Sequence, residues 1–383
     1  MVRDDRDPMP KKKVCIIRSN PVRPDSRVEK EAWTLACAGY KVHILAWDRD
    51  SDHAEQESVI TVAGEDIPIT RLGYKAAFNA GMKSLKPYLK FQFHMMRWLR
   101  KHRGEIDIIH ACDFDTAFFS QFVRKKKIFV YDIFDFLYGE PGSFLQRIVR
   151  KAQLGIIDRA DATIICTEER REQIRAASPR RLAVIHNTPF REQHSESNDF
   201  VFKSDSDRIK VAYVGILADE RLLTAIGHYF TQNHDAEFHI GGFGPLAGYY
   251  ETLAKQNDNI FFYGRIPYHH TLELESRCDI MTAIYDPSIE NCRHAAPNKF
   301  YESLMLGKPV MMTRGTGMSE IVERYGLGEL IDFSEEGFGA GFTRLIGRRD
   351  EWPAISERMV RLYHEEYSWD EMRKRLIHLY GEL

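Results

Sequence analysis

The chain is poor in cysteine: six in 383 residues, scattered at 15, 37, 112, 166, 278 and 292, with no Cys-x-x-Cys pair. That argues against a disulfide framework and a cysteine-held zinc site, and fits a reducing cytoplasm. Long apolar runs are also missing. The opening MVRDDRDPMPKKK is partly basic but meets only Val14-Cys15-Ile16-Ile17, too short for a signal-peptide core or a spanning helix, so secretion by that route is not expected. Neither charge dominates: 54 Lys and Arg stand against 56 Asp and Glu, a formal net charge of -2. A surface built for nucleic acid is therefore not expected, and any basic patch must be local. Internal repeats and low-complexity tracts are absent.

What is present is the composition of a folded protein, with 43% hydrophobic and 29% charged residues. A chain this long suits two domains of roughly 150 to 200 residues. Short strands rich in Val, Ile and Phe alternate with amphipathic helices: KKVCIIRSN, EKEAWTLACAGY, KVHILAWD, IDIIHACD and KIFVYDIFD in the first half, then IKVAYVG, AEFHIGGFGP, NIFFYGRIP, DIMTAIYD and KPVMMT in the second. That alternation predicts α/β architecture: two Rossmann-like, doubly wound parallel sheets with a cleft between them. The expected divisions are an N-terminal domain at 1–190, a polar linker at 191–207, a C-terminal domain at 208–350, and helices at 351–383 that pack back across the lobes. Ligands of such sheets sit beyond the carboxyl ends of the strands.

The most informative stretch is SIENCRHAAPNKFYESLMLGKPVMMT. Pro297 at the first helical position, Gly307 just past the last and Lys308-Pro309 before a buried strand predict a helix whose N-terminus points at the cleft. The dipole and Lys299 suit a diphosphate, and Glu302 one turn on can accept hydrogen bonds from two ribose hydroxyls. The alternative is a solvated polar face. Gly215 ends the first strand of this half, where the missing side chain lets a pyrophosphate approach the backbone. Gly241-Gly242-Phe243-Gly244-Pro245 is glycine-rich without being a dinucleotide fingerprint. Gly264-Arg265-Ile266-Pro267 ends the next strand.

The pattern Pro-Asn-Lys-x-x-Glu-x-x-x-x-Gly-Lys-Pro-Val, with the Gly-x-Gly-Pro and Tyr-Gly-Arg-Ile-Pro turns before it, resembles the donor domain of the retaining GT-B glycosyltransferases of the "glycosyl transferases group 1" kind, which include lipopolysaccharide and capsule enzymes. Ser19-Asn20-Pro21-Val22-x-Pro24-Asp25-x-Arg27-Val28-x-Lys30-Glu31-Ala32 is similar to their opening. The resemblance spans roughly residues 13 to 335. It implies that Glu302 is the ribose-binding carboxylate and that Gly215, Gly242, Gly244, Gly264, Arg265, Ile266, His294 and Asn298 belong to the donor-binding site. It implies that Arg221 and Lys299 neutralise the departing diphosphate. Two positions depart from the pattern. His294 stands where the family has a glutamate facing the sugar, and Ile226 where a lysine often follows the arginine.

In the N-terminal half, Arg27, His110 and Asp113 are candidates for the acceptor or phosphate side, and Asp115 and Asp132 for orienting or deprotonating an acceptor hydroxyl. Related sequences carry a histidine where this one has Phe134. No metal is expected: Asp113-Phe114-Asp115 superficially matches an Asp-x-Asp metal motif, but GT-B proteins use cations and helix dipoles instead. Residues 83–103, KSLKPYLKFQFHMMRWLRKHR, contain seven Lys and Arg and no acid. With the interleaved Phe91, Phe93, Met95, Met96, Trp98 and Leu99 they suit either an anionic leaflet or a helix packing its aromatics on the sheet.

The resemblance therefore implies transfer of a sugar from a UDP- or GDP-linked donor to a saccharide or polyprenyl-linked acceptor, with retention, in cell-surface glycan synthesis. It implies no cofactor beyond the donor, no nucleic acid, and a place in the cytoplasm or on the inner face of the membrane. The alternatives are a non-catalytic subunit that binds nucleotide or a partner transferase, and a nucleotide-sugar epimerase.

Overall fold

A computed structural model describes residues 12–53, 55–76, 85–190 and 200–383. The chain divides into two compact units, Met1–Asn187 with Met372–Leu383, and Thr188–Glu371.

The first unit carries β1 (Lys13–Arg18), α1 (Ser26–Cys37), β2 (Lys41–Asp48), β3 (Gln56–Val62), β4 (Glu65–Gly73), α2 (Leu85–Lys101), β5 (Ile108–Cys112), α3 (Asp113–Ser120), β6 (Ile128–Ile133), α4 (Phe144–Arg159), β7 (Ala162–Ile165), α5 (Arg170–Ile174) and β8 (Leu182–Val184). Its eight strands run β3-β4-β2-β1-β5-β6-β7-β8, all parallel except the β3–β4 hairpin. Strands such as Val14–Ile17 and Ile108–Cys112 are buried on both faces because helices cover both. Chain order reverses between β1 and β5, which opens a crevice at their carboxyl ends.

The second unit carries β9 (Ile209–Ile216), α6 (Leu223–Gln232), β10 (Ala236–Phe243), α7 (Ala247–Gln256), β11 (Ile260–Phe262), α8 (Tyr268–Ser276), β12 (Ile280–Ala283), α9 (Glu290–Arg293), α10 (Asn298–Leu306), β13 (Val310–Thr313), α11 (Ser319–Tyr325), β14 (Gly328–Ile331), α12 (Glu335–Gly347) and α13 (Trp352–Leu362). Its six strands, β11-β10-β9-β12-β13-β14, are parallel throughout, and chain order reverses between β9 and β12. The doubly wound α/β expectation holds for both units.

The C-terminal segment is not one body. In α13, Ile355 and Met359 pack on Phe300 and Leu304 of α10, within the second unit. Most of the last helix, α14 (Trp369–Gly381), belongs to the first unit, where the Tyr380 hydroxyl meets His110 at 2.7 Å and the Tyr40 hydroxyl donates to the Tyr380 carbonyl. The expected linker at 191–207 lies outside the described residues up to 199. From Phe200 onward it is tied to the second unit, with Phe202 stacked on His239 at 4.6 Å between centroids.

The aromatic segment at 83–103 also resolves differently from a wholly membrane-facing helix. Phe91, Met95, Trp98 and Leu99 are buried against the sheet of the first unit, following the helical period inward. Leu85, Leu89 and Phe93 form an exposed stripe at four-residue spacing, Phe93 being 64% exposed, while Lys83 lies outside the described residues. At the start of α4, Phe144, Leu145 and Ile148 are exposed in the same way, interleaved with Arg147, Arg150 and Lys151.

Candidate functional site

In the second unit the switch point between β9 and β12 gathers the predicted donor residues. Gly215 at the end of β9 pairs in register with Gly242 at the end of β10, and the Gly242 amide donates to the Gly264 carbonyl at 2.7 Å, so three strand ends close on one another. Glycine is obligatory at 242: its φ is +136°, and a Cβ would stand 1.8 Å from the Gly215 carbonyl oxygen. At Gly215, with φ +154°, a Cβ would stand 2.7 Å from the Lys299 ammonium. Lys299 therefore reaches across the backbone at the strand end, with its ammonium 4.8 Å from the Tyr213 ring centroid. Gly244 lies over the Leu217 backbone, and Gly264 adopts φ +65° in open space. Arg265 is exposed with its guanidinium 4.8 Å from the Phe243 ring, and Ile266 is half-buried under Gly241.

The helix read from Pro297 begins one residue later: Pro297 is its N-cap and α10 starts at Asn298, which is exposed. Gly307 ends it at φ +64°, as its position demanded. Phe300, Tyr301 and Leu304 anchor the helix in the core, which fixes Lys299 and Glu302 three residues apart. Glu302 is 3% exposed, with the Tyr268 hydroxyl hydrogen-bonded to it. Burial opposes the charge on Lys299, but Tyr213, Tyr285 and Glu302 outweigh it, so Lys299 titrates above its ordinary value.

Arg221 sits in the short 3-10 turn Asp219–Arg221 ahead of α6, not on the helix itself. Its guanidinium lies 3.9 Å from the Tyr285 ring centroid, just past the end of β12, and Nη1 is 3.9 Å from Cys292 Sγ. Thus Arg221 and Lys299 stand at the ends of the two strands that flank the switch point. Ile226, at the position where the resembled family often has a lysine, is a fully buried core residue of α6. His294 is half-buried at the end of α9. Two cations, glycine backbone and a helix N-terminus at one strand edge suit a polyanion such as a diphosphate.

In the first unit three candidates lie elsewhere than expected: Arg27, His110 and Asp132 are buried, not exposed beyond the strand ends. They form an interior network in which Arg27 donates to Asp132 at 2.7 Å and to the Ile185 carbonyl at 2.6 Å, and also pairs with Glu31. His110 lies 3.4 Å from Asp132. Burial pushes the Asp132 carboxyl up, but Arg27 and His110 overcome this and hold it at about 2. Asp132 is completely buried and its carboxyl is engaged by Arg27, which leaves it closed off from an acceptor hydroxyl in this arrangement. The residues were expected beyond the strands, but His110 and Asp132 lie inside β5 and β6.

Asp113 and Asp115 do lie at the β1/β5 crevice. Asp113 adopts φ +65°, unusual for a non-glycine residue, and accepts from the Phe134 and Asp135 amides at 2.9 and 3.1 Å while pairing with Arg18. Burial, with Asp115 and Asp135 nearby, raises its pKa to about 6 against the pull of Arg18. Burial likewise raises Asp115, which the Ser19 hydroxyl, Arg18 and Arg49 partly offset. Arg18 was not among the predicted residues, although it immediately precedes Ser19-Asn20, where the segment similar to the family's opening begins. It and Arg27 stack on Phe134, at 4.2 and 4.6 Å from the ring centroid. A phenylalanine in place of the family's histidine is thus a platform for two guanidinium groups. Among the described residues, His110, Cys112 and Asp132 bring three ligating atoms within 4.8 Å of one another. Tyr380 and Arg27 already engage two of them, and burial raises the Cys112 thiol well above its ordinary value.

Two family descriptions match successive parts of the chain: "Glycosyltransferase Family 4" over residues 27–188 and "Glycosyl transferases group 1" over residues 208–362. The chain belongs to the GT-B glycosyltransferases. A comparison with curated protein sequences finds no match. Among solved structures, sucrose-phosphate synthase from Thermosynechococcus elongatus superposes on this glycosyltransferase with a TM-score of 0.71 at 13% identity, covering 97% of this chain and 99% of that one. Starch synthase IV from Arabidopsis thaliana, bound to ADP and acarbose, gives 0.68 at 14%, covering 97% and 99%. Anabaena HepE in complex with UDP gives 0.68 at 13%, covering 97% and 100%. At these identities the likeness bears on the fold.

Proposed function

We propose that this glycosyltransferase moves a sugar from a UDP- or GDP-linked donor to a saccharide or lipid-linked acceptor, with retention and without a metal, in cell-surface glycan synthesis. The observation that carries the reading is the placement of Lys299 and Glu302 on one helix, with the Lys299 ammonium against Gly215 at the β9/β12 switch point. In this reading Glu302 accepts from the ribose hydroxyls. Lys299 and Arg221 hold the diphosphate and stabilise the charge that grows on it as the glycosidic bond breaks. UDP in the HepE structure supports the nucleotide class. The departing phosphate takes the acceptor proton, which removes the need for a buried base such as Asp132. Asp115, half-exposed at the β1/β5 crevice, is the acidic side chain left to orient an acceptor hydroxyl.

We further propose that the enzyme works at the inner face of the membrane, docked through its first unit. The starts of α2 and α4 follow strands that run in parallel and therefore lie at the same, carboxyl edge of the sheet. Both present exposed apolar residues among Lys and Arg, the pattern of an anionic-leaflet contact. No described helix is long and apolar enough to cross a membrane.

Titration with UDP, GDP and their sugars tests the donor reading: Glu302→Gln should weaken nucleotide binding while the fold, followed by circular dichroism, stays intact. Equal affinity in the variant would remove Glu302 from the site.

A further inference from the structure

Glu275 is one of the most deeply buried acids of the second unit, 1% exposed, and neither of its carboxyl oxygens has a hydrogen-bond partner. An orphaned buried carboxyl is destabilising, more so if charged, so its retention calls for a reason. Its position supplies one. On α8, Tyr268, Leu272 and Glu275 recur at four- and three-residue spacing, and this buried face meets α10. Tyr268 bonds Glu302, and Glu275 stands within electrostatic reach of both Glu302 and Lys299.

The groups around Glu275 number few charges. From α10 come Glu302 and Lys299, and Tyr268 and Cys278 belong to its own segment. β9 offers the apolar Ala212 and Val214, which cluster with Leu274 and Cys278. Tyr363 follows α13 beside Tyr268. With one ammonium and two carboxyls in a dry site, the neutral balance is one proton held on the pair.

We infer that Glu275 is a positioning residue of the donor site: it stays a carboxylic acid so that Glu302 is the charged member of the pair, and its ionisation weakens nucleotide binding. The inference rests on the reading of Glu302 as the ribose ligand. Burial, reinforced by Glu302, lifts the Glu275 carboxyl well above its ordinary range, and Lys299 only partly offsets this. Once Glu275 ionises, a second buried negative charge lies behind a site that must accept a diphosphate. It also competes with the ligand for Lys299. Nucleotide affinity therefore declines as pH rises through the Glu275 titration, by up to about tenfold per pH unit for one linked proton.

Calorimetric titration of the full chain with UDP, GDP and ADP between pH 6 and 9 tests this, with Glu275→Gln as the neutral isostere. The expected result is wild-type affinity in Glu275→Gln at pH 6 and loss of the alkaline decline, together with loss of a protonated-carboxyl infrared band present in the unliganded wild type. An alkaline decline that persists unchanged in the variant overturns the inference, as does an infrared spectrum with no protonated carboxyl assignable to Glu275. If Glu275→Gln loses affinity at pH 6 as Glu302→Gln does, Glu275 is itself a charged ligand and the inference is again overturned. If the wild type binds none of the three nucleotides at any pH, the donor-site reading falls and takes this inference with it. Should Glu275→Gln fold poorly, the infrared band and the wild-type pH profile still decide.

Discussion

Gly242 and Gly264 both occupy backbone that side chains avoid, yet they differ in what a Cβ would meet. At 242 it would collide with the Gly215 carbonyl, whereas at 264 nothing lies within 4 Å. Gly242→Ala should therefore cost about 3 kcal/mol or more of stability, because backbone must move, and nucleotide binding with it. Gly264→Ala should cost only the left-handed conformation, about 1–2 kcal/mol. Urea unfolding of both variants checks the difference, and equal losses would contradict the geometry. A pH effect belongs at the same scale. Burial, with Arg375 and Arg27 nearby, lowers His186 from 6.5 to about 3. The unfolded chain then binds the proton first, so this histidine's contribution is fully present above about pH 6.5 and lost as pH falls, at about 1.4 kcal/mol per pH unit. His186→Gln should narrow the loss of stability between pH 7 and 5. Asp113, which pulls the other way below about pH 6, is common to both proteins.

The helices show what the sequence could and could not disclose. α10 was legible from Pro297 to Gly307 because its stop signals and apolar period are local, and its start was misplaced by only one residue. α2 was legible as a basic amphipathic helix, but which of its aromatics face the core depends on the sheet beneath it, and Phe91, Met95 and Trp98 turn inward. The Arg27–Asp132–His110–Tyr380 network joins residues up to 270 positions apart, as between His110 and Tyr380, and could not be read without strand order. Glu275 was invisible for the same reason: only the packing of α8 on α10 sets it against Glu302. What remains exposed on α2 and α4 carries its own prediction. Leu89→Glu with Phe93→Glu, or Phe144→Glu with Ile148→Glu, should each reduce sedimentation with vesicles containing anionic lipid by several-fold. Soluble-acceptor activity should be unchanged. Undiminished vesicle binding in both pairs would leave these surfaces without a membrane role.

At the scale of the molecule, two parallel-sheet units each place candidate groups beyond the carboxyl edge of a switch point, β1/β5 in one and β9/β12 in the other. That much followed from the alternating strands and helices. If, as proposed, Arg221, Lys299 and the start of α10 neutralise the charge on the donor, chelation by EDTA should leave turnover unchanged. A loss of turnover restored by added Mg²⁺ would show that these cations are insufficient. The central claim is that the second unit binds and activates a nucleotide sugar. Its most direct measurement is a screen of UDP- and GDP-sugars for slow donor hydrolysis without acceptor, with wild type beside Lys299→Ala and Glu302→Gln. The account predicts cleavage of at least one donor by the wild type and a loss of roughly tenfold or more in each variant. No cleavage of or binding to any donor, or cleavage unaffected by both substitutions, would contradict it.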